Sequence, residues 1–305
     1  MGSLILNNTI YLVDAYAHIY RGYHAIPLLS TKTGKPSNAL LAIGKFLMYM
    51  EKDLKPEYGA FVFDKGPPMD RLKILPEYKA TRPSMPDELR VQVEPLRKMV
   101  KAFGWNLIEK EGFEADDVIA TLACKFVDSK VDVISNDKDI SQIINDRITM
   151  LTTSPGQKGF EIRDTKAVEK KFDVQPSQIV DYLSLTGDAS DNIQGLQGVG
   201  PKTAAKLLKE YGCLDNIIAS VERISNEALR EKIKETSETL RRNIRLITLD
   251  KNIPLEGVHT KENLLIDSPD LDELVSIAEE YELKSLVQDF MKLSPKVKMQ
   301  GEFSF

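Results

Sequence analysis

The chain has 305 residues, 42% of them hydrophobic and 29% charged, with a formal charge of -5; this is the make-up of an ordinary globular protein large enough for two domains. No apolar run approaches the ~18 residues of a membrane span, and Met1 to Thr9 lacks the basic-then-apolar order of a secretion signal, so a cytoplasmic protein with no membrane contact is expected. The two cysteines, Cys124 and Cys213, and the three histidines, His18, His24 and His259, form no metal-type spacing, which argues against a zinc site built from His and Cys.

Three short apolar runs read as buried parallel strands: Thr9 to Val13, Gly59 to Phe63 and Val131 to Ile134. Amphipathic helical stretches lie between them. One runs from Ser37 to Leu54, with Leu40, Leu41, Phe46, Leu47 and Met50 apolar. Another runs from Glu114 to Phe126, with Val118, Ile119, Leu122, Ala123 and Phe126 on one face. Strands alternating with helices predict an α/β core with a parallel sheet.

Residues 65–101 fit neither pattern. They carry Pro67, Pro68, Pro76, Pro83 and Pro86, and nine Lys/Arg against five acids, a local charge of +4. Following a strand that ends in Asp64, the segment reads as a long insertion above the carboxyl edge of the sheet, and insertions of that length are usually functional or disordered. From about Asp164 the pattern turns helical, through 167–172, 178–185, 201–211, 226–249 and 270–290. The expected division is an α/β core over 1–185, including the 65–101 segment, and a helical region over 186–305.

Each predicted strand runs into acid. Asp14 follows Val13, Asp64 follows Phe63, and Asp137 and Asp139 follow Ile134 after two residues. In open α/β sheets the carboxyl ends of the strands line the ligand crevice. Glu114, Asp116 and Asp117 open a helix, where the helix dipole favours acids but does not require three in four residues. Asp188 and Asp191 lie in a turn-rich loop. Nine carboxylates converging this way raise one another's pKa and call for cations. Magnesium, a hard ion that takes few carboxylates and keeps waters, suits them, with manganese as the alternative. Two such ions ~3.5–4 Å apart serve in-line displacement at a phosphodiester. Setting the nine acids aside moves the formal charge from -5 to +4, so the net charge does not exclude nucleic acid.

The turn Gly195 to Ala204 is neither a P-loop, because Pro201 separates Gly200 from Lys202, nor a dinucleotide fingerprint, because a predicted helix and an acidic loop precede it where that fingerprint needs a strand. It remains a glycine hairpin between helices. Its N–H groups, the following helix N-terminus, Lys202 and Lys206 can hold a phosphate without reading sequence.

Taken together, these blocks resemble the 5′-nuclease domain of bacterial DNA polymerase I and, more distantly, phage 5′ nucleases and flap endonucleases. The matching stretches are Leu12-Val13-Asp14, Val62-Phe63-Asp64, Glu77 to Arg82, Gly112 to Val118, Asn136 to Asp139, Thr186 to Asn192 and the glycine turn, in family order over roughly 9–290. The resemblance implies a PIN-like nuclease core with a helical arch at about 65–101, followed by a helix-hairpin-helix region. It implies one metal site of Asp14, Asp64, Glu114, Asp116 and Asp117, and a second of Asp137, Asp139, Asp188 and Asp191. It casts Lys79 and Arg82 as catalytic cations beside the scissile phosphate and Tyr78 as a base-stacking aromatic. DNA binding is expected at Tyr78, Arg71, Gly198, Gly200, Lys202, Thr203 and Lys206, with a potassium ion on hairpin carbonyls. The implied activity is structure-specific 5′-3′ exonuclease and 5′-flap endonuclease cleavage that leaves a 5′ phosphate and a 3′ hydroxyl, as in primer removal and repair. The implied partners are DNA with a free 5′ end or flap, and a DNA polymerase, fused or separate.

Three rival readings are weaker. A PIN-type ribonuclease would share the sheet but lack the arch and the hairpin. A non-catalytic DNA-structure binder would have lost metal ligands, and none is missing. An aspartyl phosphatase would show Asp-x-Asp after its first strand, where Asp14-Ala15-Tyr16 stands.

Overall fold

A computed structural model of the chain describes residues 8–153 and 159–293. The tail from Ser294 to Phe305 lies outside the described residues. Six strands form one sheet: β1 (Thr9–Asp14), β2 (Tyr58–Lys65), β3 (Asn106–Glu111), β4 (Lys130–Ile134), β5 (Ile148–Thr152) and β6 (Glu161–Arg163). Their order is β3-β2-β1-β4-β5-β6, and all pair in parallel except β6, which runs antiparallel to β5. The order reverses between β1 and β4, and the carboxyl ends there form the crevice where such sheets bind ligands.

The central strands are buried on both faces. Ile10, Leu12, Ala60, Val62, Val131 and Val133 point into one hydrophobic layer; Tyr11, Val13, Phe61, Phe63 and Ile134 point into the other. The second layer is filled by α1 (Ala15–Ala25), α2 (Asn38–Asp53) and, beyond the short α3 (Met69–Ile74), by α4 (Asp87–Ala102). The first layer receives α5 (Ala115–Lys125) and then the helical half: α6 (Thr165–Phe172), α7 (Ile179–Thr186), α8 (Pro201–Tyr211), α9 (Leu214–Ala219) and α10 (Glu227–Ile247).

Several expectations change here. The 65–101 segment is not one insertion. Its second half is α4, an ordinary crossover helix that buries Leu89, Gln92, Leu96, Met99 and Val100 despite Pro95. Only residues 66–86 stand above the sheet edge. The single helix expected over 270–290 breaks at Glu282, which takes a left-handed φ of 54°, into α11 (Leu271–Glu280) and α12 (Lys284–Phe290). These two leave the helical half altogether. Leu274, Ile277, Leu286 and Phe290 return to the α1–α2–α4 side of the sheet, so the last part of the 186–305 region packs on the α/β core.

Candidate metal centre and its basic lid

The acids are held by backbone turns. Asp14 ends β1 and caps α1: its Oδ1 accepts the N–H of Ala17 at 3.2 Å, and its Oδ2 accepts the Ser135 hydroxyl at 2.9 Å. Asp64 ends β2 and reaches across to α5, where its Oδ1 accepts the N–H of Ala115 at 2.8 Å. Beyond β4 the Ser135 hydroxyl accepts the N–H of Asp137 at 3.0 Å, and Asp137 Oδ1 accepts the N–H of Asp139 at 2.9 Å. In the loop after α7, Asp188 Oδ1 accepts both the N–H and the hydroxyl of Ser190, at 3.0 and 2.6 Å. Short acids suit Asp14, Asp137 and Asp188 because each closes its own turn, whereas Asp64 caps a helix from another strand.

They converge on a cavity of about 360 Å³. Asp14, Asp64, Glu114, Asp116 and Asp137 supply its acids, Lys79 and Arg82 its cations, and Tyr16, Tyr20 and Met85 complete the wall. Beside it, one carboxylate oxygen each of Asp139, Asp188 and Asp191 lies within 4.8 Å of the others. Asp139 Oδ1 is buried without a hydrogen-bond partner. Three carboxylate oxygens this close, with a buried Asp139 oxygen that no donor reaches, fit a divalent cation.

Burial and crowding raise several of these groups. Burial, then Asp64, pushes the Asp14 carboxyl up to about 7. Asp116 and Asp139 stand well above the usual carboxylate range, through burial first and Asp137 second in both cases. Asp64 is raised too, by desolvation. Asp188 is lowered overall: burial is the largest influence and raises it, but Ser190 and Lys138, whose ammonium sits at 2.9 Å, outweigh it. Asp137 therefore acts on both acid groups, and it faces the first cavity rather than belonging to the second group alone.

A model of the 5′-3′ exonuclease N-terminal, resolvase-like domain matches residues 9–173, and a model of the 5′-3′ exonuclease C-terminal SAM fold matches residues 174–272. The chain belongs to the 5′-3′ exonuclease family. As a member it is a nuclease and hence a hydrolase. It is 38% identical over 297 residues to a 5′-3′ exonuclease of Aquifex aeolicus, covering 97% of this chain and 99% of that one. It is 37% identical over 300 residues to DNA polymerase I of Pseudomonas aeruginosa, covering 95% of this chain and only 32% of the polymerase. The chain thus spans about a third of the polymerase I relatives and nearly all of the Aquifex one. In fold it is similar to T5 5′-exonuclease with bound zinc (TM-score 0.65, 20% identity, 93% of this chain and 98% of that one) and to the catalytic core of Rad2 with DNA substrate (0.64, 18%, 95% and 93%).

Within this family member, three of the expected site residues sit differently from the expectation. Tyr78 is buried, 6% exposed, and its hydroxyl donates to Asp191 at 2.9 Å and Glu114 at 3.1 Å. It ties the two acid groups together and has no open face on which a base could stack. Arg71 is spent on protein. Its Nη1 donates to Glu114 at 2.8 Å and to Asp117, its Nη2 to Asp117 Oδ1 at 2.8 Å, and its Nε to the Leu246 carbonyl at 2.7 Å. Asp117 correspondingly stays out of the cavity, held by Arg71 and by the Asp250 N–H at 2.9 Å. Arg71 and Asp117 lock α3 and α5 to the end of α10 where DNA contact and metal ligation were expected. Arg71→Ala strips a buried carboxylate of its partner and is expected to cost about 3–5 kcal/mol of stability in urea unfolding; a loss of DNA affinity with unchanged stability would return Arg71 to the DNA surface.

Lys79 and Arg82 do stand at the cavity. Lys79 pairs with Glu114 and lies 3.6 Å from Asp191, while Arg82 reaches Asp191 at 2.7 Å. Their loop is stitched to the acidic one: the Lys79 N–H donates to the Asp191 carbonyl at 3.0 Å, and the Asn192 amide to the Glu77 carbonyl at 2.9 Å. Lys79 and Asn192 both take left-handed φ, near 57° and 59°, as residues at functional sites often do. At the hairpin, Gly198 takes φ 86° and Pro201 opens α8; Gly198, Gly200, Lys202 and Lys206 are exposed and Thr203 half-buried, all in one stretch.

Sequence reasoning passed over Tyr16, Tyr20, Ser135 and Lys138. The first two follow Asp14 one turn apart on α1, and that i, i+4 spacing was the available signal. A larger groove of about 1050 Å³ runs between α1 and α2 past His18, Phe46 and Tyr49, but none of the nine acids lines it. Charge, not cavity size, locates the chemistry.

Proposed function

We propose that this chain is a structure-specific 5′ nuclease, acting as a 5′-3′ exonuclease and 5′-flap endonuclease on DNA with two divalent ions, magnesium by preference and manganese as a substitute. The acid cluster carries the reading, above all the unpartnered Asp139 Oδ1 among Asp188 and Asp191. Asp14, Asp64, Glu114, Asp116 and Asp137 would hold one ion, and Asp139, Asp188 and Asp191 the other. Bound there, the ions supply Lewis acidity at the phosphodiester.

The protein's own groups do the rest. Here Lys79 and Arg82 neutralise Glu114 and Asp191. A carboxylate given over to a divalent ion no longer needs its cation, so both side chains become available to the scissile phosphate, where they stabilise developing negative charge. Tyr16, Tyr20 and Met85 wall the cavity beside these acids and cations. Tyr78 holds Glu114 and Asp191 at a fixed separation. Products carry a 5′ phosphate and a 3′ hydroxyl. The helical half from about residue 186 grips duplex DNA through Gly198, Gly200, Lys202, Thr203 and Lys206. No helix among the described residues is long and apolar enough to cross a membrane, and a cytoplasmic enzyme working beside a DNA polymerase in primer removal fits the polymerase I relatives. A potassium ion on the Gln197 carbonyl of the hairpin would stand beside the Lys232 ammonium, which donates to the same oxygen.

A 5′-labelled flap duplex incubated with magnesium, with EDTA and all-RNA controls, tests the reading. Cleavage near the junction that requires metal and DNA supports it; binding without cleavage under magnesium or manganese overturns it.

The raised acids also set a pH dependence. Asp14 binds its proton more tightly in the folded chain (about 7) than in the unfolded one (3.8), so its ionisation erodes stability as pH rises through 7. Asp116 and Asp139 act in the same direction. His18, lowered by burial to about 4, acts oppositely, but its effect is complete once pH exceeds 6.5. Between pH 6.5 and 8 the EDTA-treated protein should therefore lose stability, and magnesium should raise the melting midpoint more at pH 8. Saturation a hundredfold above Kd adds about 2.7 kcal/mol. Equal magnesium shifts at both pH values would contradict the assignment.

A further inference from the structure

Lys232 lies half-buried on α10, facing the glycine hairpin. Its ammonium donates to the Gln197 carbonyl at 3.3 Å and stands 3.6 Å from the point where a side chain on Gly198 would begin. Its neighbours on the same helix spend their charge on carboxylates: Arg230 faces Glu222, Glu227 and Glu231, Lys234 faces Glu222 and Glu231, and Arg241 faces Asp215 and Glu238. Among the described residues no carboxylate lies within 4 Å of Lys232. Two other hairpin carbonyls are also engaged: that of Leu196 accepts the N–H of Val199 at 2.9 Å, and that of Gly200 accepts the N–H of Ala204 at 3.0 Å.

A potassium ion on the Gln197 carbonyl would share that oxygen with the Lys232 ammonium and sit beside its positive charge. An ammonium group and a potassium ion are close in size and equal in charge, and both bind carbonyl oxygen. We propose that Lys232 is the hairpin's built-in cation: it organises the turn and presents positive charge to a duplex phosphate, so that DNA binding does not depend on potassium. The inference rests on the reading that the hairpin holds a phosphate.

The test is the affinity of the full-length chain for a fluorescent flap duplex in EDTA, measured in potassium, sodium and tetramethylammonium chloride at equal ionic strength. The wild-type affinity should agree within about twofold across the three salts. Lys232→Met should bind roughly three- to tenfold more weakly in sodium and tetramethylammonium and recover in potassium, the loss being about one phosphate contact. Lys232→Arg should remain indifferent to the cation, and it keeps the question answerable if the Met variant fails to fold. A wild-type preference for potassium beyond threefold, or a folded Lys232→Met that binds like wild type in tetramethylammonium, overturns the proposal. Lys202→Ala separates the two layers: weaker binding there with no effect of Lys232→Met rejects the built-in cation alone, whereas no effect of either variant rejects the hairpin as a phosphate site.

Discussion

Asp139→Asn is expected to abolish cleavage under saturating magnesium while making the metal-free protein more stable. The two effects share one cause. Asp139 has a buried, unpartnered oxygen among the carboxylates of Asp188 and Asp191, and burial and Asp137 hold it well above the ordinary range. Asparagine removes a charge that the fold resists and keeps the shape. Relief of this kind at functional sites is worth about 0.5–2 kcal/mol. The change also removes a ligand from the three-carboxylate group. If ion binding there supplies several kcal/mol of transition-state stabilisation, the rate falls by about a thousandfold or more. Single-turnover cleavage of a 5′ flap and urea unfolding in EDTA would be measured on the same preparation. Lost activity with lost stability would make Asp139 a structural residue; retained activity would remove it from the centre.

How legible this was in the sequence depends on what each residue's signal reports. β1, β2 and β4 showed as continuous apolar runs because they are buried on both faces. β3, Asn-Leu-Ile-Glu-Lys-Glu, is an edge strand with only Ile108 buried, so it looks like polar connection. α4 was hidden by Pro86, Pro95 and its charges, although Leu89, Leu96, Met99 and Val100 form a helical stripe. The acids were readable because strand ends put them at one sheet edge whatever the details. Orientation was not readable. Arg71 meets Glu114 and Asp117 across 43 and 46 residues of chain, and no local pattern announces that pairing. Tyr78 sits in a stretch that marks the family, yet a motif fixes which residue is present and not whether its ring faces solvent. The return of α11 and α12 to the far face was equally silent, since an apolar helix face names no partner.

Lys79→Ala should slow single-turnover cleavage by about 10²- to 10³-fold, the range for losing one electrostatic donor to the transition state, and change flap affinity far less. The backbone makes this a clean test. Lys79 already carries the cost of a side chain at left-handed φ, and its N–H bond to the Asp191 carbonyl does not involve the side chain, so alanine adds no new strain. The ammonium and its stem are lost, and with them part of the counter-charge of Glu114, which keeps Arg71, and of Asp191, which keeps Arg82. Arg82 shares Asp191, so the two cations are coupled, and Lys79→Ala with Arg82→Ala should depart from the product of the single effects. Two independent structural counter-ions would instead lower stability additively and leave the rate of the bound complex alone. An unchanged single-turnover rate in Lys79→Ala would establish that outcome and reduce the basic loop to a clamp on the acids.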